Sequence, residues 1–204
     1  MEIERKWLIN SMPDLNCFIN KQVFLVTQTY TRNGIRLRII NHPPHGRPTK
    51  FYMTVKSDGL MVRNEWEVEI PEWVYKQLIK KEMSDQKSIQ KVITKAPYDG
   101  LTIEFHRFLR QLGGLILIEC EFPDEETARN FELPSWLREQ CGGIIDVTDD
   151  TRYQNFNLFI VGRIPTTDIN MSELDKYGRQ EVKPYGKNKG PWPVNEDLIT
   201  GKEQ

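Results

Sequence analysis

Charged and polar residues spaced two apart recur along the chain: Glu2, Glu4 and Lys6; Arg36 and Arg38; Thr54 and Lys56; Arg63, Glu65, Glu67 and Glu69; Glu104 and His106; Glu119 and Glu121. On a β-strand, residues i, i+2 and i+4 share a face. The residues between them, among them Ile3, Leu37, Val55, Trp66, Val68 and Phe105, are apolar. Each stretch therefore has one charged face and one apolar face. A single such strand would be the solvated side of an antiparallel sheet. A set of them needs more, because the apolar faces must be covered and the charged faces repel unless something neutralises them. A sheet that closes with its apolar face outward under helices places the charges around a wet interior, as in barrels wide enough to hold a ligand. Arg and Lys mixed with Glu suit a polyanion held by bases, together with divalent cations held by carboxylates.

The elements that would position these residues can be read along the chain. Strands are expected over Glu2 to Ile9, Gln22 to Thr31, Ile35 to Asn41, Phe51 to Lys56, Val62 to Ile70, Ser88 to Ala96, Leu101 to Phe108 and Leu115 to Phe122. Turns are expected at Asn33-Gly34, Asp58-Gly59 and Gly113-Gly114, and a loop at His42 to Pro48. Pro71 opens a helix over Trp73 to Met83, and short helices follow Pro123 and Pro134, where Asp124 and Ser135 could cap them. This is an α+β chain whose eight strands form an antiparallel β-barrel, a tunnel with a charged interior and helices packed outside.

A chain of 204 residues, 38% hydrophobic, fits one domain with an appended segment. A net charge of -1 and a pI near 6.3 exclude bulk electrostatic attraction to nucleic acid or to an anionic membrane, so any phosphate binding must be local. Cys17, Cys120 and Cys141 have no CxxC spacing, which argues against a zinc site or a disulfide framework. No apolar run approaches a membrane span and no signal-peptide core is visible, so a cytoplasmic protein is expected. From about Pro165 the chain turns rich in Pro and Gly with few apolar anchors, among them Tyr177, Tyr185 and Trp192. The division is residues 1–163 as the folded domain and 164–204 as an extended tail, laid on the barrel or on a second copy in a homodimer.

With these residues in view, the chain resembles the CYTH family, also called the triphosphate tunnel metalloenzymes, in its small bacterial form. Glu2-Ile3-Glu4-Arg5-Lys6 matches the family's ExExK signature. The likeness continues through Arg36-Leu37-Arg38, Met53-Thr54-Val55-Lys56, Arg63-Asn64-Glu65-Trp66-Glu67, Ile118-Glu119-Cys120-Glu121, Pro134-Ser135-Trp136 and Thr148 to Asn155. The resemblance implies an eight-stranded tunnel that binds a linear triphosphate and requires Mg²⁺ or Mn²⁺. It further implies hydrolysis of inorganic tripolyphosphate or of a small organic triphosphate, such as thiamine or nucleoside triphosphate. A class IV-type adenylyl cyclase forming cyclic AMP and pyrophosphate, and a non-catalytic polyphosphate-binding module, are the competing readings.

On that basis Lys6, Arg36, Arg38, Lys56, Arg63, Lys91 and Arg152 are expected to bind the triphosphate, the arginines by paired hydrogen bonds. Glu2, Glu4, Glu67, Glu119 and Glu121 are expected to hold metal as hard oxygen ligands. Lys91, which matches a basic position of the hydrolytic members, and Glu65, as a carboxylate not engaged with metal that could orient the attacking water, are the expected catalytic residues. His106 stands where relatives often carry an acid, and Ile93 where a second base is common beside Lys91. An adenine pocket, which a cyclase would need, has only Trp66 and the aromatic residues of the tail to build it.

Overall fold

A strand charged on one face and apolar on the other needs two environments, and a closed antiparallel ring under helices supplies both. The computed structural model describes residues 1–42, 48–57, 59–82 and 87–165. Its strands are β1 (Glu2–Ile9), β2 (Gln22–Tyr30), β3 (Arg36–Asn41), β4 (Lys50–Lys56), β5 (Val62–Arg63), β6 (Glu65–Ile70), β7 (Ile89–Tyr98), β8 (Leu101–Phe108), β9 (Ile116–Glu121) and β10 (Ile144–Asp146). They lie in the order β10-β1-β9-β8-β7-β2-β3-β4-β6. The ring closes because β5, which runs into β6 across Asn64, pairs back onto β1 through Glu2↔Arg63 and Ile3↔Val62.

Counting β5 and β6 as one broken strand gives nine strands, where the sequence predicts eight. The addition is β10, only three residues long and without charge alternation, which pairs with Trp7, Leu8 and Ile9. One edge of β1 is thus shared, by β5 at its start and by β10 at its end. The β4–β5 connection needs Gly59, whose φ is +143° and where a Cβ would sit 2.2 Å from the Val62 carbonyl oxygen.

Register decides what faces inward. Lys6 and Glu104 both lie opposite Glu119, Glu4 opposite Glu121, Lys95 opposite Glu104, Arg36 opposite Thr54, and Thr54 opposite Glu67. A slip of one residue would turn every one of these outward.

The outward apolar face is covered where β1, β7, β8 and β9 meet two short helices, α2 (Glu125–Asn130) and α3 (Ser135–Gln140). Ile3, Trp7, Phe105, Ile118 and Cys120 bury there against Ala128, Leu133 and Leu137. A fully buried side chain of Leu or Ile size contributes about 1.5–3 kcal/mol. Asp124 caps α2 as predicted, accepting from Thr127 N at 2.7 Å. Ser135 does not cap α3: it is the first helical residue, and Pro134 occupies the cap position. The remaining helix of this outer layer, α1 (Glu72–Glu82), lies against β4 with Tyr75 tilted on Phe51 at 5.2 Å.

A separate apolar cluster gathers at one end of the barrel. Leu8, Ile89, Phe108 and Leu117, all at inward register positions, gather with Leu112, Leu115, Val147 and Tyr153. The helix α4 (Asn155–Val161) adds Leu158 and Phe159 to this cluster and ends at Gly162 in the left-handed region. The opposite rim is wetter: the Lys50–Glu69 pair is 41% and 52% exposed. The expected tail lies, from residue 166 onward, outside the described residues. Among the described residues no helix is long and apolar enough to cross a membrane.

Candidate active site

The inward faces of β1, β5 and β9 carry alternating signs, and the side chains pair accordingly. Lys6 Nζ lies 3.1 Å from Glu4 Oε1 and 2.9 Å from Glu119 Oε1. Arg63 reaches across the closing seam, donating from Nε to Glu2 at 2.7 Å and from Nη2 to Glu4 at 2.8 Å. Lys56 adds a contact to Glu2 at 3.1 Å.

The wall formed by β3, β4 and β6 repeats the pattern. Arg36 Nη2 is 2.9 Å from Glu65 and 3.3 Å from Glu67, and Thr54 donates to Glu67 at 2.6 Å. Arg38 pairs with Glu67 and Lys56 with Glu65. The structure therefore brings together Lys6, Arg36, Arg38, Lys56 and Arg63 with Glu2, Glu4, Glu65, Glu67 and Glu119.

Burial makes these pairs interdependent. Taking a charge out of water costs several kcal/mol, and removal of one partner leaves the other uncompensated. Burial opposes the charged form of Lys6, yet Glu119 and Glu4 hold its pKa well above the usual lysine value. The same opposition holds Glu119 well below the carboxylate range, with His106, Lys6 and Lys91 outweighing burial. In Lys56 burial prevails, helped by Arg36 and Arg63, and its pKa is lowered.

The third wall is different. Lys91 on β7 is 2% exposed, and its Nζ lies 3.0 Å from His106 Nδ1 and 3.1 Å from Asn155 Oδ1. Burial pushes it down to about 7; Glu119 opposes that, while Lys6, Arg36 and Arg38 add to it. His106 in turn places Nε2 3.0 Å from Glu104. Against the effect of its own burial, His106 and Lys95 bring Glu104 down to about 2. Ile93, the apolar residue between Lys91 and Lys95 on the inward face, is 5% exposed and lies opposite Phe24 and His106.

Three expected site residues stand apart in their pairing. Glu65 is not an uncommitted carboxylate, since Arg36 and Lys56 hold it. Arg152 lies on the turn Thr151–Tyr153 with its guanidinium on Asp150, Nε at 2.9 Å, so its charge is matched there. Glu121 faces inward beside Glu4 without a lysine or arginine on it, and burial with the charges of Glu2, Glu104 and Glu4 raises its pKa. Trp66 lies between the inward Glu65 and Glu67, on the outer face, and is 55% exposed, so it cannot line an adenine pocket in the tunnel. Among the described residues, no three His, Cys, Asp or Glu side chains already stand together as a metal site.

Sequence spacing missed Tyr30 and Asn155. Tyr30 is 8% exposed, its hydroxyl accepts from Gln28 at 3.2 Å, and its inward position follows from the same alternation that carries Gln28. Asn155 opens a helix whose apolar run, NFNLFIV, is too short to show a period.

No family model matches the chain. It is 33% identical over 156 residues to an inorganic triphosphatase of Nitrosomonas europaea, covering 76% of this chain and 93% of that protein. It is 31% identical over 162 residues to an inorganic triphosphatase of Acetivibrio thermocellus, covering 77% and 92%. Among solved structures, the crystal structure of an inorganic triphosphatase superposes with a TM-score of 0.51 at 28% identity, covering 81% of this chain and 97% of that one. Two curated relatives above 30% identity, each covered over nearly its whole length, and a ring of paired bases and carboxylates of the same fold lead to one assignment: the chain belongs to the family of the inorganic triphosphatases.

Proposed function

We propose that this protein is a triphosphate tunnel metalloenzyme of the CYTH type that hydrolyses a linear triphosphate inside its barrel. The observation that carries this reading is the interior in which Lys6, Arg36, Arg38, Lys56 and Arg63 are each paired with a glutamate around the buried Lys91. Such pairs can change partners. Incoming phosphate oxygens take the bases, and the glutamates so released need cations.

The donor set fits a hard divalent ion, Mg²⁺ or Mn²⁺: it is oxygen-only, and Glu121 is crowded by Glu2, Glu104 and Glu4, whose charges outweigh the relief that Lys95 gives. Glu2, Glu4, Glu67, Glu119 and Glu121 would hold the metal, which when bound neutralises charge on the phosphate oxygens. Arg36, Arg38, Lys6, Lys56 and Arg63 bind and orient the triphosphate. Lys91 in its neutral form takes the proton of the attacking water as the new P–O bond forms and the bridging P–O bond to the departing diphosphate breaks. Arg152 is left outside this set. Ile93 makes that wall poorer in phosphate contacts than a base would.

The deciding assay is incubation with Mg²⁺ or Mn²⁺ and tripolyphosphate, thiamine triphosphate or ATP, followed by product analysis. Orthophosphate is the expected product. Cyclic AMP from ATP would replace the hydrolase with a cyclase, and tight binding without turnover would leave a binding module.

The phosphate role of the bases has its own test. Arg38→Ala and Lys56→Ala are each expected to weaken triphosphate binding by roughly 1.5–3 kcal/mol, the range for hydrogen bonds to charged groups. Isothermal titration with unchanged affinity in both variants would leave these residues as partners of the glutamates alone.

A further inference from the structure

We propose that His106 and Asn155 are positioning residues that together fix the direction in which the Lys91 amine points. The proposal rests on the reading of Lys91 as the group that meets the attacking water. An amine nitrogen has tetrahedral geometry. Two of its directions are spoken for here, by His106 Nδ1 at 3.0 Å and Asn155 Oδ1 at 3.1 Å. What remains, a lone pair or a third N–H, points where those two acceptors leave room. The aim is the same in either protonation state of the amine.

The partners also define the ring. For the Lys91 lone pair to stay free for water, the amine must donate here, which assigns Nδ1 as the acceptor. Nε2 then carries the hydrogen and donates to Glu104 at 3.0 Å. Glu119 Oε2 lies farther from Nδ1, at 3.4 Å. The chain Glu104, His106, Lys91 is thus a carboxylate, an imidazole and an amine in series, with each acceptor fixed by the donor after it. His106 is 3% exposed and Lys91 2%, so neither can swing into solvent. Of the neighbours on this wall, Ile93, opposite His106, is apolar, Lys95 is drawn away to Glu104, and Phe108 offers the amine only its ring, at 5.2 Å. Asn155 comes from the first residue of α4, so the helix that joins the apolar cluster also holds one side of the amine.

The test uses the full chain, tripolyphosphate and saturating Mg²⁺ or Mn²⁺. His106→Phe keeps the ring volume and removes the acceptor; it is expected to lower kcat by roughly 10- to 100-fold, the scale of a misaimed catalytic group, with KM moved far less. His106→Asn, whose Oδ1 stands near the place of Nδ1, should restore most of that loss. Asn155→Ala should lower kcat in the same way. In a Lys91→Met background neither substitution should cost anything more, since residues that act through one group are not additive.

Equal losses from His106→Phe with and without Lys91, or equal losses from Phe and Asn at position 106, would overturn the proposal. So would unchanged kcat in both His106→Phe and Asn155→Ala while Lys91→Met is crippled. Should Lys91→Met itself keep full kcat, the reading of Lys91 fails instead. If His106→Phe does not fold, the half-buried Asn155 carries the same cycle to a decision.

Discussion

Lys91→Met is expected to lower kcat by roughly 10²- to 10⁴-fold, the usual contribution of a positioned general base. With Lys91 brought down to about 7 by burial and by Lys6, Arg36 and Arg38, against the pull of Glu119, the parent enzyme should gain kcat/KM as pH rises through about 7. The variant should lack that limb. A pH–rate profile unchanged in shape and height would remove Lys91 from the chemistry.

Stability should move the other way. Because the folded state disfavours the ammonium, the unfolded chain binds the extra proton between about 7 and the ordinary lysine value. Lys91 therefore destabilises the fold at low pH, and the penalty fades as pH rises through that window. Thermal melts should show Lys91→Met gaining most over the parent below pH 7. A variant both less active and less stable at pH 6 would mean that the amine serves packing.

Glu121→Gln is expected to produce an equally large loss of activity, about 10²-fold or more if it is a metal ligand whose charge opposes that of the phosphate. It is a cleaner probe than Glu119→Gln. Glu119 shares Lys6 with Glu4 and lies against His106, so its neutralisation strips buried cations of their partner. On Glu121, burial and the like charges of Glu2, Glu104 and Glu4 outweigh the pull of Lys95, and its pKa is raised. The sign follows: the folded state holds the Glu121 proton more tightly than the unfolded one, so its stabilising effect is present at low pH and lost as pH rises. At neutral pH Glu121→Gln should melt higher than the parent in chelator. It should also need more Mg²⁺ or Mn²⁺ for half-maximal rate. Full activity in chelated parent protein would end the metal reading.

The period-2 alternation carried most of this architecture. Glu2 to Lys6, Arg36 with Arg38, and Glu65 with Glu67 read as inward faces because Ile3, Leu37 and Trp66 between them are apolar, and the register bears that out. Where alternation is absent the reading stops. Ile144–Asp146 is too short to show a period, and α4 is apolar without one. The pairing partners of the charges were also out of reach. Spacing tells that Glu65 and Glu121 share an environment; only the register across strands tells that one meets Arg36 and Lys56 while the other meets carboxylates. The partnership of Lys91 with Asn155 joins residues 64 apart in sequence, a distance over which no local pattern operates.

Among the described residues, the apolar cluster of Leu8, Phe108, Leu117, Leu158 and Phe159 fills the end of the barrel nearest Lys91, while charged side chains line the other rim. Were the wet rim of Lys50 and Glu69 the entrance, a linear triphosphate would go in end first and bring its terminus toward Lys91. A cyclic phosphate has no terminus to present. Products would then leave by the same rim, and diphosphate left inside would compete with substrate for the same bases.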